Sequence, residues 1–201
     1  MVLAAALATS ACTGSDAAES ETDASTTTTS TRATVALTAG EAVVASAGPD
    51  VVLDESTKQA LVATSQTYVD TAVLAPLLDG AVGAGYEALF DGAVAANATG
   101  VDRAALTDEG ISPVTESPIV TSTPVRIDGL ADGSGGVQLM ATSFTLAVEG
   151  ETAAGPLTIQ RTTELTFAPG ANGAWLITAY RVSVTRETAG DTTTTTATAQ
   201  S

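Results

Sequence analysis

The chain of 201 residues contains no histidine and a single cysteine, Cys12. Without histidine there is no Ser-His-Asp or Cys-His nucleophile arrangement and no imidazole ligand for a metal ion. One cysteine cannot form an internal disulfide or an all-cysteine zinc site. Most common hydrolase and metalloenzyme chemistry is thereby excluded, and we expect neither a cofactor nor a metal site.

Basic and aromatic residues are also scarce. Lys and Arg together number 7 against 23 Asp and Glu, which gives a net charge of -16. A chain this acidic repels phosphate backbones and anionic headgroups, so we expect no nucleic-acid binding and no electrostatic docking to membranes. Aromatic residues make up 3 % of a chain that is 44 % hydrophobic, so Ala, Val and Leu must fill the core.

The chain begins with an uncharged apolar run, MVLAAALATSA, immediately before Cys12. Such a run ending in small residues is typical of the apolar region and cleavage site of a signal peptide. It is about half as long as the roughly 20 residues that a transmembrane helix needs. The run resembles a bacterial lipoprotein lipobox, which implies cleavage after Ala11 and transfer of a diacylglycerol to Cys12. We therefore predict a signal peptide over 1–11 and a protein attached to the extracytoplasmic face of the cell membrane through lipid alone, with a secreted protein as the alternative.

Polar, Thr-rich segments lie on both sides of the central part of the chain. Residues 13–33 contain Ser, Thr, Ala and acids but no large apolar residue, which predicts a disordered tether over 12–33. Residues 188–201 predict a similar disordered tail. Residues 34–54 predict an extended lead-in, with an edge strand as the alternative, and 55–187 form the predicted domain.

Helical periodicity dominates the first half of that domain. Apolar residues from Leu61 to Val73 share one helical face, and Asp54 or Ser56 is placed to cap the helix. Pro76 and the Gly-rich stretch 80–85 end this helical region. A second helix is predicted over 86–97 and a short helical turn over 102–106.

A period of two replaces the helical period after Gly110. Residues 157–167 alternate between apolar and polar, and strands are also predicted over 175–186, 137–149 and about 118–127. The apolar positions of 137–149 change face near Thr142 and Ser143, which predicts a bulge or a strong twist there. The order of elements predicts an α+β domain, with two to three N-terminal helices packed on a curved antiparallel sheet of about four strands.

Several short segments carry a family resemblance. Residues 68–72 (YVDTA), 102–110 (DRAALTDEG), 173–175 (GAW) and 180–186 (YRVSVTR) resemble actinobacterial lipoproteins with a nuclear-transport-factor-2-like cone domain. That group includes polyketide-cyclase-like and Mce-associated domains, and the resemblance covers 55–187. It implies a cone-like fold in which one face of the sheet lines a cavity. A cystatin-like layout, with one helix on a sheet, is the alternative.

Arg161 is the most unusual residue of the strand pattern, because it shares a face with Leu157, Ile159, Leu165 and Phe167. A guanidinium on an apolar face needs an acidic partner or an opening to solvent. Three interpretations follow from this placement: a ligand-binding group, a structural ion pair with an acid such as Asp70 or Asp91, or a position at the sheet edge from which the side chain extends to solvent.

The cone resemblance implies a possible ligand pocket that contains Arg161. Tyr68, Tyr180 and Asp91 are the other candidates for it. Tyr180 and Arg181 are adjacent in a strand, so only one of them can face inward.

We expect a non-catalytic domain that binds an envelope protein or a small apolar ligand. One alternative is an isomerase-like or cyclase-like enzyme, with a carboxylate base and a tyrosine donor drawn from Tyr68, Tyr86 and Asp91. A structural spacer domain is the second alternative.

Overall fold

The computed structural model describes residues 34–200. The predicted signal peptide, Cys12 and the predicted tether lie outside the described residues. Within 34–200, no helix has both the length and the apolar character needed to cross a membrane.

Seven strands form a single mixed sheet. They are β1 (Ala39–Ser46), β2 (Ile119–Ser122), β3 (Val125–Ala131), β4 (Val137–Thr152), β5 (Gly155–Pro169), β6 (Trp175–Thr188) and β7 (Asp191–Gln200). Their order is β1-β3-β4-β5-β6-β7, and β2 pairs with the second half of β4. β1 runs parallel to β3, and all other pairs of neighbours are antiparallel.

The predicted fold class is wrong in its proportions. In place of two to three helices on about four strands, the described chain has one long helix beside seven strands. The long helix comprises α1 (Glu55–Tyr68), a π-helical segment (Val69–Leu74) and α2 (Ala75–Asp79). The remaining helices are a 3-10 turn (Glu87–Leu89), α3 (Gly92–Thr99) and α4 (Arg103–Leu106). A mixed seven-stranded sheet therefore replaces the prediction and its cystatin-like alternative.

The predicted second helix over 86–97 is interrupted at Phe90. Phe90 is extended and forms a parallel bridge with Ile177, and the Asp91 N–H donates to the Ile177 carbonyl at 2.9 Å. This contact draws the chain onto β6 between the 3-10 turn and α3. The predicted turn over 102–106 is confirmed as α4.

Two of the sequence-based strand predictions need correction. The strand expected over 118–127 divides into β2 and β3 around Pro124, which has no N–H to donate to a neighbouring strand. The bulge expected near Thr142 and Ser143 is also wrong, because the pairing of β4 with β5 is continuous from Met140 to Thr152. Thr142 is buried and hydrogen-bonded to Ser65 at 3.1 Å. Because this inward position holds a polar residue, the apolar residues of the strand alternate in the sequence as if they changed face.

The predicted disordered tail over 188–201 is wrong for the residues that form β7. β7 pairs with β6 along its whole length, and Ala197 and Ala199 are buried against the core. Threonine favours strands, because its branched side chain packs well on a pleated surface. The predicted lead-in contains β1, which is an edge strand of the sheet.

The long helix passes through Pro76 by adopting a π-helical segment. Proline has no N–H, so carbonyls one turn earlier lose their partner within the helix. The Ala72 carbonyl accepts instead from the Asp108 N–H at 3.0 Å, and the Thr71 carbonyl accepts from the Gly83 N–H at 2.8 Å. Pro76 thus frees carbonyls that hold the later loops, including the one that contains Asp108.

The sheet has two faces of different character. The covered face packs against the long helix and buries alternate residues of the central strands, among them Leu146, Ile159, Leu165 and Val182. The open face carries the other alternate residues, such as Thr145, Thr162 and Ser183, and these remain partly or fully exposed.

Candidate functional site

Arg161 lies on the covered face, as the strand alternation predicts, and is fully buried. Its Nη2 donates to Asp108 Oδ2 at 2.9 Å. Its Nη1 is 3.1 Å from the Tyr68 hydroxyl oxygen and donates to the Ala105 and Leu106 carbonyls at 3.1 Å. Protein groups therefore surround this guanidinium, and its acidic partner is neither of the two residues suggested by the sequence.

Asp108 joins two arginines from neighbouring strands. Its Oδ1 accepts from Arg186 Nε at 2.9 Å, while Oδ2 accepts from Arg161. Arg186 also donates to the Thr107 carbonyl at 2.9 Å. The Asp108 side chain has no solvent exposure and that of Arg186 has 11 %. We call Arg161, Asp108, Arg186 and Tyr68 the buried charge cluster.

Tyr68 connects this cluster to the long helix. Its hydroxyl donates to the Leu106 carbonyl at 2.7 Å. Burial raises the pKa of Tyr68, an effect that the nearby charge of Arg161 opposes. Burial opposes the charge of Arg161, but Asp108 and Tyr68 raise the pKa of Arg161 above its usual value. Tyr68 therefore stays neutral and Arg161 stays charged across the ordinary pH range.

Tyr180 faces inward and Arg181 faces solvent. The Tyr180 hydroxyl donates to Asp102 Oδ2 at 2.7 Å. Burial, with a further contribution from this hydrogen bond, raises the pKa of Tyr180. The contact fixes the start of α4 to β6.

Asp91 does not join these residues. Its carboxylate accepts from the Gly92 N–H at 2.8 Å and caps α3. Asp70, the other suggested partner of Arg161, accepts from Gln66 on its own helix at 2.9 Å. The structure thus brings Arg161 and Tyr68 together, places Tyr180 on the adjacent strand with a separate partner, and leaves Asp91 at a helix terminus.

The buried charge cluster is suited to structure rather than to chemistry on a ligand. Arg161 and Tyr68 have 0 % exposure, so no ligand reaches either side chain in this conformation. The cluster fixes the loop after α4 against β5 and β6. Within residues 34–200, no group of three or more acidic, histidine or cysteine side chains is arranged to hold a metal ion.

The open face carries short, mostly uncharged side chains. Strand register places them in two rows across β4, β5, β6 and β7: Thr145, Thr162, Ser183, Thr196 and Ala147, Gln160, Thr185, Thr194. The charged residues beside these rows include a pair between Arg181 and Glu164 at 3.6 Å. On the other side, the adjoining row contains Glu149 and Glu187.

One end of the open face is apolar, and we call Val43, Leu130 and Leu139 the apolar corner. Leu130 on β3 lies opposite Leu139 on β4. Val43, on the neighbouring strand β1, lies opposite Asp128 on β3. Their exposed fractions are 46 % for Val43, 53 % for Leu130 and 39 % for Leu139. Sequence reasoning missed this site, because the pairing that unites three distant segments is visible only in the fold.

The apolar corner has a charged rim. Arg126 forms ion pairs with Asp128 at 2.8 Å and with Glu41 at 3.4 Å. Asp132, in the turn after β3, accepts from the backbone N–H groups of Ser134 and Gly136. An apolar centre with a polar, net acidic rim has the arrangement of many protein-binding surfaces.

Two depressions lie on other parts of the surface. A groove of about 360 Å³ between β1 and α1 is lined by Leu37, Ala39, Val62 and Ala63 with two glutamines. A depression of about 380 Å³ is formed by the loop 82–88 and Arg103. Arg103 is already paired with Glu109 at 2.6 Å, and this hydrogen bond lowers the pKa of Glu109. The first groove is suited to an apolar ligand, whereas the cation beside the second is already neutralised.

Comparisons with known proteins add no relative, since no protein-family model, no curated protein and no solved structure matches the chain.

Proposed function

We propose that this chain is a cell-envelope lipoprotein, anchored through Cys12, whose domain binds a partner protein through the apolar corner and performs no chemistry. The supporting observation is the exposure of three neighbouring aliphatic side chains on a sheet face to which no helix of residues 34–200 is packed. Burying them in a complex contributes roughly 2–4 kcal/mol at the usual value for apolar area. Single exposed aliphatic residues are common, but a contiguous group is a feature of interaction sites.

The charge around the corner defines the kind of partner. Glu41, Asp128 and Asp132 outnumber Arg126 at its rim, and the whole chain has a net charge of -16. Complementary charge favours specific encounter between proteins. The expected partner is therefore an envelope protein with an apolar patch bordered by basic residues.

The binding proposal is tested by cross-linking in membranes of the native host. A photo-reactive amino acid at Leu139 is expected to give one discrete adduct with a different protein, and Leu130→Asp is expected to abolish it. Thr162, near the middle of the open face, is the matched control position and should give no such adduct. The absence of an adduct at Leu139, or equal adducts at both positions, overturns partner binding at the corner and favours a spacer role.

The anchor is tested separately through Cys12→Ala. The expected result is a shift of the protein from the membrane fraction to the medium or the soluble envelope fraction, because one acylated cysteine supplies the membrane affinity. Unchanged fractionation contradicts the anchor but leaves the corner to be judged by the cross-linking result.

A small apolar ligand is the second candidate, favoured by the groove between β1 and α1. Its lining side chains are mainly aliphatic, and its volume of about 360 Å³ is within the range of small-molecule sites. Native mass spectrometry of the protein from its own host is expected to show a retained ligand that Val62→Trp displaces. The enzyme alternative has less support, because Tyr68 and Arg161 are sealed within the protein.

A further inference from the structure

The two edges of the sheet are protected to different extents. At β1, the register is irregular between Ala39 and Ala42, and Glu41 lies within that irregularity. The Gln66 side chain also accepts from the Leu37 N–H and donates to the Val35 carbonyl, each at 2.8 Å, just before β1. Bulges, charges and covering groups of this kind prevent an edge strand from pairing with another chain.

β7 lacks these protections. Its ten residues, DTTTTTATAQ, contain one charge, Asp191 at its first position, and neither Lys nor Pro. Its register with β6 is continuous from Asp191 to Gln200, without a bulge. Within residues 34–200, no strand pairs with its outer edge. A regular edge of this length, without charges, Pro or a bulge along most of the strand, is a template for a further strand.

The hairpin geometry shows which backbone groups form that edge. β6 and β7 are joined by the two-residue connection 189–190, so Thr188 and Asp191 form the closing hydrogen-bonded pair. Odd-numbered residues of β7 therefore bond to β6, and even-numbered residues direct their N–H and C=O groups outward. The close contact between the Thr185 and Thr194 hydroxyl groups, 3.2 Å, agrees with a non-hydrogen-bonded pair at that position.

We infer that β7 pairs antiparallel with β7 of a second copy of this chain, about a two-fold axis at Thr196. In that register Thr194 lies opposite Thr198, and Thr192 lies opposite Gln200, so the outward-directed groups of both strands find partners. The two Asp191 residues lie at opposite ends of the paired strands. The only charges in β7 are thus far apart, although each chain is strongly acidic.

A second copy of this chain is a better partner for β7 than an unrelated strand, because the two paired strands then have the same sequence. Uncharged threonines opposite one another form favourable cross-strand pairs, and an isologous pairing repeats each contact twice. The predicted result is one continuous sheet across both copies. The apolar corner lies toward the opposite edge of each sheet, so the dimer leaves it available to a partner.

Cysteine substitution tests the register on the full-length chain carrying Cys12→Ala. Thr196→Cys is expected to give a covalent dimer with a short thiol-reactive bifunctional reagent, because a hydrogen-bonded pair places its Cα atoms about 5.5 Å apart. Thr194→Cys is the matched control. Its two copies lie four residues apart along the strands, about 13 Å, and should not cross-link. Equal cross-linking of both variants, or of neither, contradicts this register.

Association is measured by sedimentation on the same background over a wide range of protein concentration. A reversible monomer–dimer equilibrium is expected. Thr196→Pro removes an N–H from each copy at the two-fold axis and is expected to raise the dimer Kd by about ten- to hundred-fold. The substitution is compatible with folding, because the N–H of an edge strand that points away from its neighbour is not needed by the sheet.

Lysine substitutions give a matched pair that also keeps each monomer folded. Thr196→Lys places two like charges opposite one another and is expected to weaken the dimer. Thr194→Lys, opposite Thr198, should weaken it much less. A protein that is monomeric at every concentration overturns the inference, as does a dimer that neither Thr196 variant weakens. A dimer lost on Leu130→Asp but not on Thr196→Lys would place the contact at the apolar corner instead.

Discussion

The covered and open faces of this sheet use alternate residues of the same strands in opposite ways. The covered face contains the conspicuous residues, Arg161 and Tyr68, but they are completely enclosed by protein groups. The open face contains mostly short polar residues, yet it includes the apolar corner and adjoins the edge of β7, with which no further strand of residues 34–200 pairs. An anomalous residue in a strand pattern can therefore mark a structural requirement, while the surface available to partners has an ordinary sequence.

The covered face should be most sensitive at the buried charge cluster. Asp108→Ala leaves Arg161 and Arg186 without their shared acid in a buried site, and it is expected to reduce the free energy of unfolding by about 3–5 kcal/mol. Denaturant-induced unfolding measures this loss. Asp128→Ala removes an exposed ion pair with Arg126 and should cost less than about 1 kcal/mol. Similar losses for both variants would refute the distinction between the two faces.

Buried hydroxyl groups on the covered face provide a finer test. Thr142→Val leaves the Ser65 hydroxyl without its partner and is expected to cost about 1–3 kcal/mol of unfolding free energy. Thr163, two residues from Arg161, has a buried hydroxyl oxygen that finds no hydrogen-bond partner among residues 34–200. Thr163→Val should therefore be neutral or stabilising.

The same unfolding measurement separates the two threonines. The double variant Ser65→Ala with Thr142→Val should regain much of the loss, because neither polar group then remains unpaired. A large loss for Thr163→Val would show that its hydroxyl forms a hydrogen bond in solution, contrary to its lack of a partner among residues 34–200.

Periodicity of apolar residues in the sequence predicted the elements whose buried face it reflects. The helical period identified α1 and offered Asp54 or Ser56 as its cap, of which the structure has Asp54. Alternation identified β5 and β6 and directed Arg161 inward. Asp108 was missed because it follows the short α4 in a loop without periodicity. Its position depends on the Ala72 carbonyl, which Pro76 leaves free in the long helix and which accepts from the Asp108 N–H. This contact joins residues that are far apart in the sequence.

Amino-acid composition gave a wrong prediction for β7, because composition does not show which strands pair. The threonines of β7 lower the hydrophobicity of the segment, which predicts disorder, but the same residues favour a strand once β6 supplies a neighbour. The apolar corner was equally hidden, because Val43, Leu130 and Leu139 become neighbours only through the pairing of β1 with β3 and β3 with β4. Such contacts between distant segments determine both the candidate site and the number of strands.

A smaller effect on stability is expected at the N-terminus of the long helix, which covers the sheet. The Asp54 carboxylate accepts hydrogen bonds from the Ser56 hydroxyl and from the Thr57 N–H and hydroxyl, the latter two at 2.8 Å. These bonds, the Ser56 bond first, lower the pKa of Asp54 from 3.8 to about 2. A lowered pKa in the folded state means that the contribution to stability is complete above pH 3.8 and is lost as the pH falls through about 2.

The test at Asp54 compares the wild type with Asp54→Asn across that pH range. The wild type should melt at a slightly higher temperature near neutral pH, and the difference should disappear at the acidic end. A difference that is independent of pH would assign the effect to cap geometry alone and not to the charge.

The smallest effect is expected on the open face, where a matched pair on β3 separates exposure from residue type. Leu130→Thr exchanges an exposed leucine for a residue that favours strands, so the unfolding free energy should change by no more than about 0.5 kcal/mol. Ile127→Thr introduces the same residue three positions earlier at a fully buried site, and it should cost at least about 2 kcal/mol. If Leu130→Thr also abolishes the adduct formed at Leu139, the corner is a binding surface with little role in folding. A large loss of stability at Leu130 would instead make it part of the core and remove the contrast between the two faces.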